Sequence, residues 1–149
     1  MINIYSGCRV CTIKGTQALV ILSMISVETF KAMCLALPEV QEVTHGGSPA
    51  FRTKRRIFAT LWPDQNPANA AITKPSANFG FTPEEQAAFC NSAPDSFLPV
   101  PGGWGRQGWT TVKLWKVKKK MLESAIHSAW YGAAPPKLQE QYRLENGLE

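Results

Sequence analysis

The chain is poor in the residues that usually declare a chemistry. It has two histidines, His45 and His127, which stand far apart, and four cysteines in 149 residues. Four cysteines are too few to staple a chain of this length, so a disulfide framework is excluded and a reducing, cytoplasmic setting is expected. Cys8-Arg-Val-Cys11 has the spacing of half a zinc site. A structural zinc needs two more ligands at similar spacing, and neither histidine supplies a pair, so no metal and no cofactor are expected. No apolar run reaches the ~20 residues that span a bilayer. The run within residues 16–25 has no small-x-small cleavage site after it, which argues against secretion. Charge is also sparse, at 18% of residues, with a net +5 that mildly favours acidic partners and falls short of a basic tail.

Catalytic pairings are equally thin. His45 with Ser48 offers a base near a hydroxyl, but no carboxylate stands in an evident position to orient the imidazole. Asp64, Glu84 and Glu85 lack any paired-carboxylate context. The glycines at 102, 103, 105 and 108 neither follow an expected strand nor open an expected helix, which removes the dinucleotide-binding reading. No catalytic residue is expected, and nothing in the chain names a reaction.

What the chain does have is Pro101-Gly102-Gly103-Trp104-Gly105-Arg106-Gln107-Gly108-Trp109, leading into Thr110-Thr111-Val112. Glycine gives positive φ and close backbone approach. Each indole gives a large apolar face and one N–H donor. Such a loop is either a folded structural plug or a recognition surface.

A 44% apolar chain of this length fits one domain with a real core. Ser26 is a good N-cap, Ile25 can staple onto Phe30, and Val27, Phe30, Met33, Cys34 and Leu37 recur at helical spacing until Pro38. Residues 1–23 show no clean periodicity. The expectation is a leader over 1–23 and a domain over 24–149 with Met24 as its natural start.

The turn 45–49 precedes two strand candidates, 50–53 and 57–61, joined by a basic hairpin tip, Lys54-Arg55-Arg56. A third strand is expected at Ala70–Lys74. Thr82-Pro83-Glu84-Glu85 reads as a capping box opening a helix to about Asn91. Trp109–Trp115 reads as a strand with Val112 and Leu114 on one face and Trp109, Thr111, Lys113 and Trp115 on the other. Helices are expected near 118–131 and 137–145. The whole reads as α+β: a two-layer sandwich, an antiparallel sheet with helices packed on one face.

Ala36-Leu37-Pro38-Glu39-Val40 with Glu42, His45-Gly46, Pro49-Ala50-Phe51-Arg52, Ile57-Phe58-Ala59, Thr82 to Gln86 and the 101–114 stretch, closed by Ala129-Trp130 and Ala133-Ala134-Pro135, together resemble the MmcQ/YjbR family of small bacterial proteins. The resemblance covers roughly residues 24–140. It implies an antiparallel sheet with helices on one side, a frataxin-like or "double wing" shape, and members are commonly described as DNA-binding on grounds of that shape. Two departures add positive charge: Lys54-Arg55-Arg56 replaces a turn that often contains glycine, and Lys116–Lys120 replaces a segment that is often acidic.

The leading expectation is therefore weak, mainly electrostatic nucleic-acid contact. Arg52, Lys54, Arg55, Arg56, Arg106 and Lys113 would supply charge to DNA phosphates, and Trp104 and Trp109 would stack on bases. Its competitor is a protein-interaction or small-ligand module that uses the Trp/Gly loop as a wall, with a homodimer or another protein as partner. A continuous basic face at the tryptophans favours the first; scattered charge around an apolar cleft favours the second.

Overall fold

The computed structural model describes residues 24–147; the expected leader, with Cys8 and Cys11, lies outside the described residues. Helix α1 (Val27–Leu35) starts at its expected cap, where the Ser26 hydroxyl accepts a hydrogen bond from the Thr29 amide. Such a cap contributes ~1 kcal/mol. The Ile25 amide donates to the Leu114 carbonyl, tying the helix entry to the sheet.

Strands β1 (Gln41–His45), β2 (Ser48–Arg52), β3 (Ile57–Trp62) and β4 (Ser76–Gly80) form a meander. Helix α2 (Pro83–Ser92), strand β5 (Phe97–Pro99), the single turn α3 (Gly103–Arg106) and strand β6 (Trp109–Lys113) follow, then helices α4 (Lys119–Ala133) and α5 (Pro136–Glu145). The described strands make one sheet in the order β1-β2-β3-β4-β6-β5, antiparallel throughout. Helix α4 packs across β3 and β4, and α1 packs on α4. This is the expected α+β, two-layer arrangement.

Alternation along the strands builds the core between the layers. Phe51, Leu61, Ala77, Phe79 and Val112 turn toward α1 and α4, which answer with Phe30, Cys34, Leu122, Ala125, Ile126, Ala129 and Trp130. Burial pushes the Cys34 thiol above its ordinary range, so this cysteine behaves as a small hydrophobe. Phenylalanine rings run in unbroken contact from Phe51 through Phe30, Phe79, Phe81 and Phe89 to Phe97, with centroids 4.9–5.9 Å apart. Trp130 is fully buried and its indole N–H donates to the Pro38 carbonyl at 3.0 Å.

The structure departs from expectation in β1, β5 and the position of β4. Residues 70–74 form a turn and an irregular run instead of a strand, and the side chains of Asn66 and Asn69 accept from the amides of Ala68 and Ala71. Those local bonds compete with a strand ladder. The strand begins at Ser76, past Pro75, and alternates Ser76, Asn78, Gly80 against Ala77, Phe79.

Candidate functional site

The sheet face turned away from the helices carries a row of small and polar residues. Ala50 pairs with Thr60, Thr60 with Asn78, and Asn78 with Thr111. Thr60, Asn78 and Thr111 are nevertheless buried, and the segment between β3 and β4 reaches this row through Asn66. Asn66, wholly buried in that segment, donates from Nδ2 to Ser76 Oγ and Asn78 Oδ1, both at 3.0 Å. Thr111 Oγ1 donates to the same Asn78 Oδ1 at 2.7 Å.

This network fixes amide orientations from a group that has no choice. The Ala68 backbone N–H can only donate, and it donates to Asn66 Oδ1. Asn66 Nδ2 is therefore the donor toward Asn78, whose oxygen must be the acceptor. Asn78 lines a cleft of about 500 Å³, and its Nδ2 donor is left without a partner among the described residues.

The cleft is assembled from five parts of the chain, with Asn78 supplied by β4. Trp62 and Ala68 come from the end of β3 and the segment after it; Val100, Trp104 and Trp109 come from the glycine–tryptophan stretch. Arg52, Arg56 and Ile57 come from the β2–β3 hairpin, and His45 from the end of β1. A β-bulge sets the hairpin contribution: Phe51 pairs with Ala59 but Arg52 with Ile57, so Phe58 is the extra residue. Both Phe58 and Ala59 enter the core, and Ile57 returns to the cleft face beside Arg52.

The glycine stretch is both plug and surface. A Cβ on Gly105 would lie 1.7 Å from the Val100 carbonyl oxygen, and one on Gly108, at φ +115°, would lie 2.0 Å from that of Phe81. Those two glycines are the plug. Trp104 is 64% exposed and meets Trp109 edge to face at 6.0 Å. Trp109 lies against Gly80, where any Cβ would sit 3.2 Å from the indole. Gln86 of α2 donates from Nε2 to the carbonyls of Gly105 and Trp109, each at 3.0 Å.

The spacing Gly103-x-Gly105-x-x-Gly108 does follow a strand, β5, and does make a helical turn, against expectation. That turn has four residues and leads into β6, and its glycines approach carbonyl oxygens. The dinucleotide reading still fails.

Of the residues expected to contact nucleic acid, Arg52, Arg56, Trp104 and Trp109 converge on the cleft. Lys54, Arg55, Arg106 and Lys113 do not line it. The hairpin tip is engaged with the end of α4: Arg55 Nη1 donates to the carbonyls of Gly132 (3.4 Å) and Ala134 (3.3 Å), and Arg56 Nη2 to that of Gly132 (3.1 Å). Cations there complement the helix dipole, at ~0.3–1 kcal/mol each. Lys116 and Lys118–Lys120 lie at the opposite end of the same 15-residue helix, about 22 Å away at 1.5 Å per residue. The positive charge is thus scattered: these two groups lie at opposite ends of α4, and Arg106 and Lys113 stand apart from both on α3 and β6.

Trp115 was expected beside Trp109. The strand ends at Lys113, and Trp115 sits in the following turn with Lys74 Nζ 5.5 Å from its ring centroid. Trp62, Asn78, Thr60 and Val100 were not anticipated. Asn78 was hidden by the misplaced third strand, although the Ser-Ala-Asn-Phe-Gly alternation signals it. No cluster of His, Cys, Asp and Glu among the described residues could hold a metal ion, and no described helix is long and apolar enough to cross a membrane.

The YjbR family model matches residues 35–131. The chain belongs to the YjbR family. The matched span contains every residue of the cleft. Two crystal structures are similar in fold to this YjbR chain. One is a Deinococcus radiodurans protein with a DUF419 domain, at TM-score 0.59 and 18% identity, with 85% of this chain and 91% of that one covered. The other is a Pseudomonas syringae protein, at TM-score 0.56 and 13% identity, covering 73% and 99%. No curated protein matches the sequence.

Proposed function

We propose that this YjbR-family chain is a binding module whose cleft takes a small, flat, largely apolar molecule. The observation that carries this is the meeting of Trp62, Trp104 and Trp109 on a single cleft of about 500 Å³. Ligand sites are typically concave, mostly apolar and furnished with a few placed polar groups. Scattered positive charge around an apolar cleft also supports a small ligand over a duplex surface.

Weak nucleic-acid binding is the second reading, supported by one feature: exposed Trp104 next to Trp109, with Arg52 and Arg56 on the same cleft. An unpaired base stacked there would gain ~1–3 kcal/mol. Tryptophan fluorescence separates the two. The small-ligand reading expects saturable quenching by naphthalene derivatives that Trp109→Ala removes, with a salt dependence far shallower than that of nucleic-acid binding. Oligo-dT or duplex DNA binding that falls steeply with salt, with no quenching by the naphthalenes, would instead establish the second reading.

A further inference from the structure

We infer that the cleft selects an anionic, acceptor-bearing aromatic, an aromatic carboxylate or phosphate, held with its acidic group at Arg52 and Arg56; this rests on the small-ligand reading above. The polar groups of the cleft are almost all donors. Arginine and the indole N–H cannot accept. Arg52, Arg56 and the Asn78 amide nitrogen face the ligand space together with three tryptophans, and no Asp or Glu lines it. Only Thr60 and His45 can do either.

Donor capacity remains after the protein's own bonds are counted. Arg52 donates to the Thr53 and Lys54 carbonyls and Arg56 to that of Gly132, among the described residues, out of five N–H groups on each side chain. The Trp62 indole nitrogen is buried and is not among the donors open to the cleft. A cationic ligand would find no counter-charge in this lining. A neutral hydrocarbon would leave the Asn78 amide hydrogens facing apolar surface, which is unfavourable. An anion with a ring satisfies both halves of the lining, because carboxylate and phosphate suit the guanidinium fork.

Calorimetric titration of the purified chain with matched probes tests this. The pairs are 2-naphthoate with its neutral isostere 2-naphthamide, and adenosine 5′-monophosphate with adenosine; they separate carboxylate from phosphate as the source of charge. The charged member of at least one pair should bind at least about tenfold more tightly than its neutral partner. Arg52→Gln should abolish that preference. Asn78→Asp keeps an oxygen for the Asn66 and Thr111 donors while replacing the remaining donor by an acceptor, and should weaken the anion at least about tenfold. Equal affinity within both pairs overturns the anion selection and leaves the small-ligand reading standing. Absence of binding by all four probes overturns both. The wild-type ratios decide the matter even if a variant fails to fold.

Discussion

The guanidinium of Arg56 donates to the Gly132 carbonyl at 3.1 Å, and the same side chain lines the cleft. It joins the β2–β3 hairpin to the last turn of α4, with Arg55 beside it and the buried Thr53 hydroxyl donating to the Ala133 carbonyl at 2.7 Å. The Arg55→Ala/Arg56→Ala pair should therefore lower stability by about 0.5–2 kcal/mol in urea unfolding. Thr53→Val should cost about 1–3 kcal/mol, because it leaves a buried carbonyl short of a donor.

Gly103 and Gly105, only two residues apart, should respond in opposite ways. Gly105→Ala and Gly108→Ala force a methyl into backbone oxygens and should each cost roughly 3 kcal/mol or more, or prevent folding. Gly103→Ala meets only the end of the Arg106 side chain, at 3.5 Å, within a helical turn. It should be neutral or stabilising by up to about 1 kcal/mol. Thermal melts of the three variants check the contrast.

Trp104 and Trp130 should divide binding from stability. Trp104→Ala removes an exposed ring and should leave the unfolding free energy within about 0.5 kcal/mol of the parent while abolishing ligand quenching. Trp130→Ala empties a fully buried site and should cost about 3–5 kcal/mol.

His127 packs against Trp130, Tyr131 and Tyr142, its ring 4.9 Å from that of Tyr142. Burial lowers its pKa below the ordinary 6.5. The unfolded chain then takes up a proton that the folded chain resists, so stability falls as pH drops through 6.5 and is unaffected by this group well above it. His127→Phe should flatten the pH dependence of the urea midpoint between pH 7 and pH 5. An unchanged slope would exclude His127 as its source.

Sequence showed the helices more clearly than the strands, for physical reasons. The Thr82–Glu85 capping box is local: Thr82 Oγ1 accepts from the Glu85 amide and Glu85 Oε1 from the Thr82 amide, so four adjacent residues suffice to reveal it. Strand β5 has three residues and ends in proline, leaving little period to read. The cleft was half visible. Arg52, Arg56, Trp104 and Trp109 carry chemistry wherever they stand, whereas Asn78 matters only because register sets it between Thr60 and Thr111. The basic hairpin tip reads as free to contact phosphate because nothing local shows that helix α4 ends against Arg55 and Arg56.

Gln86 ties down the backbone beneath one side of the cleft. One amide group grips the carbonyls of Gly105 and Trp109 together, so the backbone that carries Trp104 and Trp109 cannot shift without losing two hydrogen bonds at once. Its conformational entropy is surrendered during folding, before any ligand arrives. Association should then be a single bimolecular event whose observed rate rises linearly with ligand concentration. A plateau at high concentration would mean that a slow rearrangement gates entry.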